Sequence, residues 1–396
     1  MPKYTEIHGE TLRDVSVNSD GISFQEHDLN REVVKSGCIA CLKSLFLDIF
    51  MPRGFPHSVS EDYVSYQVWD TIQAFASSMN HALSTEAILR GAGIGNEAAT
   101  AIAATVAWLL KDGLGMISRI VFAWLTSPYF DAHCKQWRLL ADILNDITFC
   151  MDLVVPNFPR FFVFVLCLSS LLRSVVGVAG TSTRTAVTSH QAISDNLGDV
   201  AAKDVSQETV VNICALACSL LLLHFVSGSV VVWPLFIVFT SVHLYANYRA
   251  IKSLQFRTLN HSLLEILIRK YVKTGSIDDV RSVNDQESVF SLRVSSSRYY
   301  GCSLIKTLSS ANELKFVSSK FIASCNLKLN SGCVSMARFS NTKDQLRAAA
   351  CLELMLHLRI VPSLSQLDEF TEGLKKVGWS IDKHRLVFDR WIYMEK

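Results

Sequence analysis

The sequence predicts a mainly α chain: a polytopic helical membrane domain followed by a small soluble α+β domain. Three observations carry this reading. From Thr209 to Tyr248 there is no Asp, Glu, Lys or Arg, a stretch of about 40 residues and roughly twice what one membrane-spanning helix needs. Across the 396 residues, 49% are hydrophobic and only 19% charged, with a mean hydropathy of +0.26, more apolar and less charged than an average globular protein. After Tyr271 the pattern changes to Ser- and Asp-rich segments, short alternating stretches and two amphipathic helices. The divisions predicted are a polar N-terminal arm (1–44), a helical membrane domain (45–270) and a cytosolic α+β domain (271–396).

The arm is polar and weakly ordered, with Glu6, Glu10, Asp14 and Asp20. Those acids argue against a signal or transit peptide, so targeting is expected from internal apolar segments. Residues 38–51 read as a short amphipathic helix. A turn with two prolines and a glycine comes next, and Ser60-Glu61-Asp62 opens a helix that runs to about residue 90. Asp62, Tyr66, Trp69, Asp70 and Gln73 recur on one of its faces at steps of three or four. Gly91, Gly93 and Gly95 form a corner. A second apolar helix spans 97–126, interrupted at Lys111-Asp112-Gly113 and carrying Arg119. A third spans 135–155, with a polar stripe of Arg138, Asp142, Asn145 and Asp146.

Pro156 and Pro159 end that helix. The uncharged run Phe161 to Leu172 comes after it, and Gly177 and Gly180 mark a break or a close-packing corner. An amphipathic helix is expected over 185–205, with Asp199 and Lys203. Asp204 and Glu208 lead into the apolar hairpin, about 209–226 and 231–250, turning at Ser227-Gly228-Ser229 with Pro234 in the first turn of its second helix. The alternative is a buried hairpin at the centre of a large soluble helical protein. The basic residues Arg249, Lys252, Arg257, Arg269, Lys270 and Lys273 favour a cytosolic location for the C-terminal third. Strands are expected near 289–294, 315–317, 326–339 and 385–393, with helices at 342–359 and 365–376. The segments before Lys111-Asp112 and before Lys203-Asp204 echo one another, as two related halves of a transporter would.

Eleven scattered cysteines and the lone Cys38-x-x-Cys41 do not make a disulfide scaffold or a zinc set. There is no P-loop, no GxSxG, no HExxH and no dinucleotide fingerprint. A net charge of +2 leaves no field for nucleic acid. No cofactor, metal or catalytic residue is expected. Ions on helices this apolar must pair or line a polar space. The pairing version joins Lys111 to Asp142 or Asp146, Arg138 to Asp112, and Lys203 to Asp199. The other version is a site for a small polar metabolite, lined by Asp62, Tyr66, Trp69, Asp70, Gln73, Lys111, Asp112, Arg119, Arg138, Asp142, Asn145, Asp146, Asp199, Lys203, Asp204 and Glu208. A membrane scaffold whose cytosolic domain docks a protein partner is the second hypothesis, and an enzyme the third.

Several stretches resemble the RUS (root UVB sensitive) family of membrane proteins. They are Gly54-Phe55-Pro56-His57-Ser58-Val59-Ser60-Glu61-Asp62-Tyr63, Tyr66-Gln67-Val68-Trp69-Asp70, and Trp108-Leu109-Leu110-Lys111-Asp112-Gly113-Leu114-Gly115-Met116. Trp137 to Asp146, Ser174 to Gly180, Ala202 to Thr209, Ala246-Asn247-Tyr248-Arg249 and Gly378-Trp379 continue the match. Val205 departs from it, where a Gly is usual. The resemblance covers roughly 45–270 well and the C-terminal part loosely. It implies a multi-pass protein in contact with lipid, a link to UV-B responses and vitamin B6 homeostasis, and assembly with itself or another member. Plant members are plastid-associated. The resemblance supplies no catalytic residues.

Overall fold

The computed structural model describes residues 3–8, 11–18, 21–28, 45–91, 101–225, 229–290, 297–309 and 313–394. Expectations for Cys38 and Cys41, the glycines at 93 and 95, the turn at 227–228 and most of the 289–294 strand lie outside them. Contacts divide the chain into two units, 1–55 and 56–396. In the first, β1 (Lys3–His8), β2 (Thr11–Asn18) and β3 (Gly21–Asp28) form an antiparallel meander. It occupies the stretch whose polarity reads as a weakly ordered arm. Alternations such as Thr5-Glu6-Ile7 and Val15-Ser16-Val17 are its local signal. A short helix, α1, covers residues 45–50.

The second unit begins with a bundle built on α2 (Tyr63–Gly91). Around it come α3 (Ala101–Thr126), the short α4 (Tyr129–Ala132), α5 (Cys134–Val154), α6 (Phe162–Gln191), α7 (Leu197–Phe225) and α8 (Ser229–Ser253). Helix α2 packs against α5, α7 and α8, while α6 packs against α3 and α5. Tyr63, Met79, Leu83 and Ala87 are among the buried apolar positions of α2. Helices α3 and α6 approach closely at Gly115. A Cβ there would lie 2.9 Å from Ser170 Oγ and 3.0 Å from Ser174 Oγ, the small-residue contact usual between apolar helices. Ser170 Oγ donates to the Lys111 carbonyl across this contact at 3.0 Å.

Two expected breaks are absent. Lys111-Asp112-Gly113 is continuous helix within α3, and Gly177 to Gly180 is continuous helix within α6. A glycine inside a helix weakens it by about 1 kcal/mol without stopping it. The real break falls at 192–196, so the helix expected over 185–205 is the end of α6 and the start of α7. Val59 bridges Ala192 there, and Asn196 Nδ2 donates to the Ser58 carbonyl at 3.2 Å.

Among the described residues, three segments are long and apolar enough to cross a membrane: Pro159–Gln191, Leu197–Leu222 and Val231–Ser253. Helix α3, with Lys111, Asp112 and Arg119, is not one of them. It still shows a broad apolar face, with Leu109, Met116, Ile117, Ile120 and Trp124 all more than half exposed.

The α+β part starts before residue 271. Its core takes Leu263, Leu264 and Leu267 from α9 (His261–Thr274). Next come α10 (Val280–Gln286), β4 (Arg298–Tyr300), α11 (Leu304–Thr307), β5 (Leu314–Val317), β6 (Phe321–Asn326) and β7 (Ser331–Ala337). Helix α12 (Thr342–Leu358), helix α13 (Leu364–Lys376) and β8 (Ile392–Tyr393) complete it. The sheet runs β4-β7-β6-β5, with β8 also paired to β7. Capping boxes start α12 at Asn341 and α13 at Ser363. The strand expected over 385–393 is short because its first part is held by single contacts, Arg385 N to the Leu259 carbonyl at 2.8 Å and Asp389 N to the Tyr300 carbonyl at 2.9 Å.

A buried ion pair joins bundle and α+β part. Lys135 Nζ lies 3.1 Å from Glu287 Oε2, the side chains only 2% and 1% exposed. Lys135 also donates to Asn284 Oδ1 at 3.0 Å, and Asn260 Nδ2 donates to Glu287 Oε1 at 2.8 Å. Removing one partner of such a pair costs about 3–5 kcal/mol, because the other charge stays buried and alone. Glu287→Gln is therefore expected to lower unfolding stability by that amount. The double change Lys135→Met with Glu287→Leu should cost less than Glu287→Gln alone. Denaturant unfolding in detergent checks the order.

His261 gives the α+β part a pH dependence. Its Nδ1 is 3.1 Å from the Tyr300 hydroxyl. Burial, with Arg298 adding to it, pushes the imidazole down to about 4. A folded value below the unfolded one stabilises at high pH. The contribution is whole above about pH 6.5 and is lost as pH falls toward 4, on the order of 3 kcal/mol in all. Thermal melting from pH 7 to 4.5 should show this fall, and His261→Gln should flatten it.

Candidate functional site

Helix α2 projects a polar face into the bundle, and α5, α6 and α7 surround it. Between them lies a cavity of about 410 Å³. Of the sequence-predicted residues, Asp70, Gln73, Arg138, Asp142 and Glu208 line it. Arg138 pairs with Asp70, and its guanidinium lies 5.5 Å from the Tyr66 ring centre. The Tyr66 hydroxyl in turn donates to Asp70 Oδ1 at 3.3 Å. Gln73 Nε2 donates to Asp142 Oδ2 at 3.1 Å and lies 2.9 Å from His243 Nε2. The other ring nitrogen, His243 Nδ1, is 2.8 Å from Asp146 Oδ2. Asn145 Nδ2 donates to Ser77 Oγ on the cavity wall at 3.3 Å. One chain of contacts thus ties α2, α5 and α8 together.

Arg184 of α6 holds the opposite wall. It pairs with Glu208 and, through Nε at 2.6 Å, with Asp204. Asp204 also accepts from Gln67 at 3.3 Å. Asn212 accepts from Ser78 Oγ at 2.8 Å. The lining presents three carboxylates, Asp70, Asp142 and Glu208, against two guanidiniums, Arg138 and Arg184. Asp70 and Glu208 each bond a guanidinium, whereas Asp142 accepts from the neutral amide of Gln73. Gly177 and Gly180 also line the space, and a Cβ on either would meet nothing within 4 Å. These glycines are lining positions and not a corner.

The other predicted residues lie elsewhere. Lys111 pairs with its neighbour Asp112 at 3.3 Å and sits over the Trp108 ring. Asp112 and Arg119 lie on α3, away from the cavity. The expected pairs of Lys111 with Asp142 or Asp146, and of Arg138 with Asp112, do not form; Asp70 holds Arg138 instead. Asp199 and Lys203 sit in the first turns of α7, outside the lining. Asp62 serves the fold rather than the cavity. His190 Nε2 at 2.9 Å and the Gln255 backbone N–H at 2.7 Å hold it at the foot of α2. Trp69 faces Arg249 and Tyr245. Sequence reasoning missed His243, Arg184, Ser77, Ser78 and Asn212. His243 lies in a run read only for its lack of formal charge, yet a histidine in an apolar helix is the signal that could have found it.

This architecture defines a class: an apolar helical bundle with a partly ionic central cavity, joined to an α+β part. Residues 40–275 match the family model described as a vitamin B6 photo-protection and homoeostasis domain. The chain belongs to this root UVB sensitive family. It is 42% identical over 253 residues to the protein root UVB sensitive 3 of Arabidopsis thaliana, covering 64% of this chain and 58% of that protein. It is 39% identical over 256 residues to RUS family member 1 of Dictyostelium discoideum, covering 63% and 49%. Similarity to the Arabidopsis thaliana protein root UVB sensitive 2, chloroplastic, is 29% over 248 residues, 62% and 56%. The chain thus spans only about half of the length of these relatives. No solved structure matches it.

The open space beside Gly177 and Gly180 can be tested by filling it. Gly180→Ala should leave unfolding stability unchanged or raise it by about 0.5–1 kcal/mol, since alanine is the better helix former. Thermal melting checks this. A loss above about 1 kcal/mol would mean that the position is packed rather than open.

Proposed function

We propose that the chain is a multi-pass membrane protein that binds, and carries across the bilayer, a small polar metabolite of the vitamin B6 type. The observation that carries the reading is the ionic cavity at the centre of a bundle whose outward faces are apolar. Ile213, Leu216 and Leu220 of α7, and Ile237 and Val238 of α8, are all more than half exposed. A surface this apolar suits lipid far better than water. The carboxylates and guanidiniums inside suit a zwitterionic ring compound with hydroxyl groups, each of which can meet a charged partner. The family description links such proteins to vitamin B6, and this fits the same chemistry. The basic residues after Tyr248 favour a cytosolic side for the α+β part. Catalysis plays no part in it.

The direct test is binding of radiolabelled pyridoxine and pyridoxal to the purified protein in detergent. Asp142→Asn should remain folded and membrane-inserted while binding weakens at least tenfold, about 1.4 kcal/mol or more. If stability falls in step with binding, Asp142 only holds the bundle together. If the wild-type protein binds neither compound, the vitamin B6 reading fails.

A further inference from the structure

A second cavity, of about 650 Å³, lies where the α+β part meets the α4–α5 corner of the bundle. It is within the size range of small-molecule sites. One wall is the α4–α5 junction with His133. Another is the N-terminus of α9 with His261. Lys306 and the C-terminal segment from Arg385 to Trp391 close it. That segment is firmly placed. Gly301 has φ +74°, and a Cβ there would lie 2.3 Å from the Asp389 carbonyl oxygen. Only glycine lets the two strands of backbone approach so closely.

The chemistry of the lining is unbalanced in two ways. Four cationic side chains, Arg298, Lys306, Arg385 and Arg390, face one carboxylate, Asp389. Asp389 already accepts from the Arg390 backbone at 2.7 Å. Arg298 is neutralised from behind by Glu353 at 2.7 Å, and the lining still keeps a positive balance. Lys306 and Arg390 are exposed at the mouth. The second imbalance is in hydrogen bonds. His133 Nδ1, His261 Nε2 and Arg385 Nε are buried nitrogens without a hydrogen-bond partner. The other two Arg385 nitrogens are committed to the carbonyls of Asp131 and Thr258, at 3.3 and 3.1 Å. Three lining residues that each carry an unmet buried nitrogen are unusual, since buried polar groups nearly always find partners.

We infer that this cleft binds a phosphate group carried by a small organic molecule. A phosphate monoester brings about two negative charges and three strong acceptor oxygens. Its charge meets the positive lining, led by the exposed Lys306 and Arg390. A single carboxylate has fewer acceptors and less charge for the same cleft. The aromatic wall, with Tyr300 and Phe388 stacked at 5.2 Å between ring centres, takes the organic portion of the molecule. The site is separate from the bundle cavity. Its residues from Arg298 onward also lie beyond the part matched by the family model.

The donor of the phosphate is a soluble phosphomonoester or a phospholipid headgroup, and one experiment separates them. Thermal unfolding of the full chain is followed in detergent at fixed ionic strength, with inorganic phosphate replacing chloride. Phosphate should raise the midpoint by about 2 °C or more. The double variant Lys306→Gln with Arg390→Gln changes two exposed residues, of which Lys306 also lies over the Tyr299 ring at 3.2 Å. It should keep the chloride midpoint and need at least tenfold more phosphate for the same shift. Nanodiscs of phosphatidylcholine alone and with phosphatidic acid form the second arm. A rise with phosphatidic acid that the double variant loses assigns the site to a headgroup. A rise with inorganic phosphate alone assigns it to a soluble ester. No shift with either, or equal shifts in wild type and double variant, overturns the inference.

Discussion

A charge placed among apolar helices must find its partner there, and the arrangement of the bundle depends on that constraint. Translocon scales put an unpaired ion at mid-bilayer at about 2.5–3.5 kcal/mol, and pairing or water lowers the penalty. Helix α2 supplies many of the partners. Asp70 meets Arg138, Gln73 meets both Asp142 and His243, Gln67 meets Asp204, and Asn80 Nδ2 donates to Thr240 Oγ1 at 3.0 Å. Each contact fixes the rotation of a neighbouring helix about its own axis, which apolar packing alone would leave loose. The same contacts leave a lined space where they do not quite close. Cavity and scaffold are thus made by one set of residues, and Asp142 stands at the boundary between the two roles.

A second network does the same for the join to the α+β part. Lys135 and Glu287 are nearly free of solvent, and the side chains of Asn284 and Asn260 add one hydrogen bond to each. Asn260 caps α9 through the Leu263 backbone N–H and also donates to the Ala132 carbonyl. The start of α5, the start of α9 and the end of α10 therefore share one polar knot. Movement of α5 in the bundle would be felt by α9, and through it by the core of Leu263, Leu267 and Phe370.

The sequence was most legible where elements are long and bounded by strong signals. Ser60 to Asp62 marked the start of α2, Pro156 the end of α5, and Asp70, Gln73, Arg138 and Asp142, read as polar helix faces, line the cavity. The same polar spacing also singled out Asp62, Tyr66, Trp69, Asn145 and Asp146, which do not line the cavity, and legibility was lower still where one residue type serves opposite ends. Gly177 and Gly180 read as breakers, yet neighbouring helices hold α6 continuous and the missing side chains leave room. Lys111-Asp112 read as an interruption, yet the two pair with each other within a continuous α3. The partner choices were beyond the sequence. Arg138 has carboxylates available on several helices, and only the packing of α5 on α2 selects Asp70. His243 was hidden because hydropathy reading weighs formal charge and passes over a neutral imidazole. In the α+β part the helices were plain, but strands as short as β4 and β8 depend on their sheet partners and leave little local signal.

Under the proposed function the bundle is wet and polar inside and lipid-covered outside. Labelling in native membranes with a charged, water-soluble thiol reagent tests it most directly, read residue by residue by mass spectrometry. Thr181→Cys places a thiol on the cavity lining, while the native Cys214 and Cys218 lie exposed on α7. The thiol at 181 is expected to react while Cys214 and Cys218 stay unmodified until the membrane is dissolved. Rapid labelling of Cys214 and Cys218 in intact membranes, with the thiol at 181 inert, would contradict it.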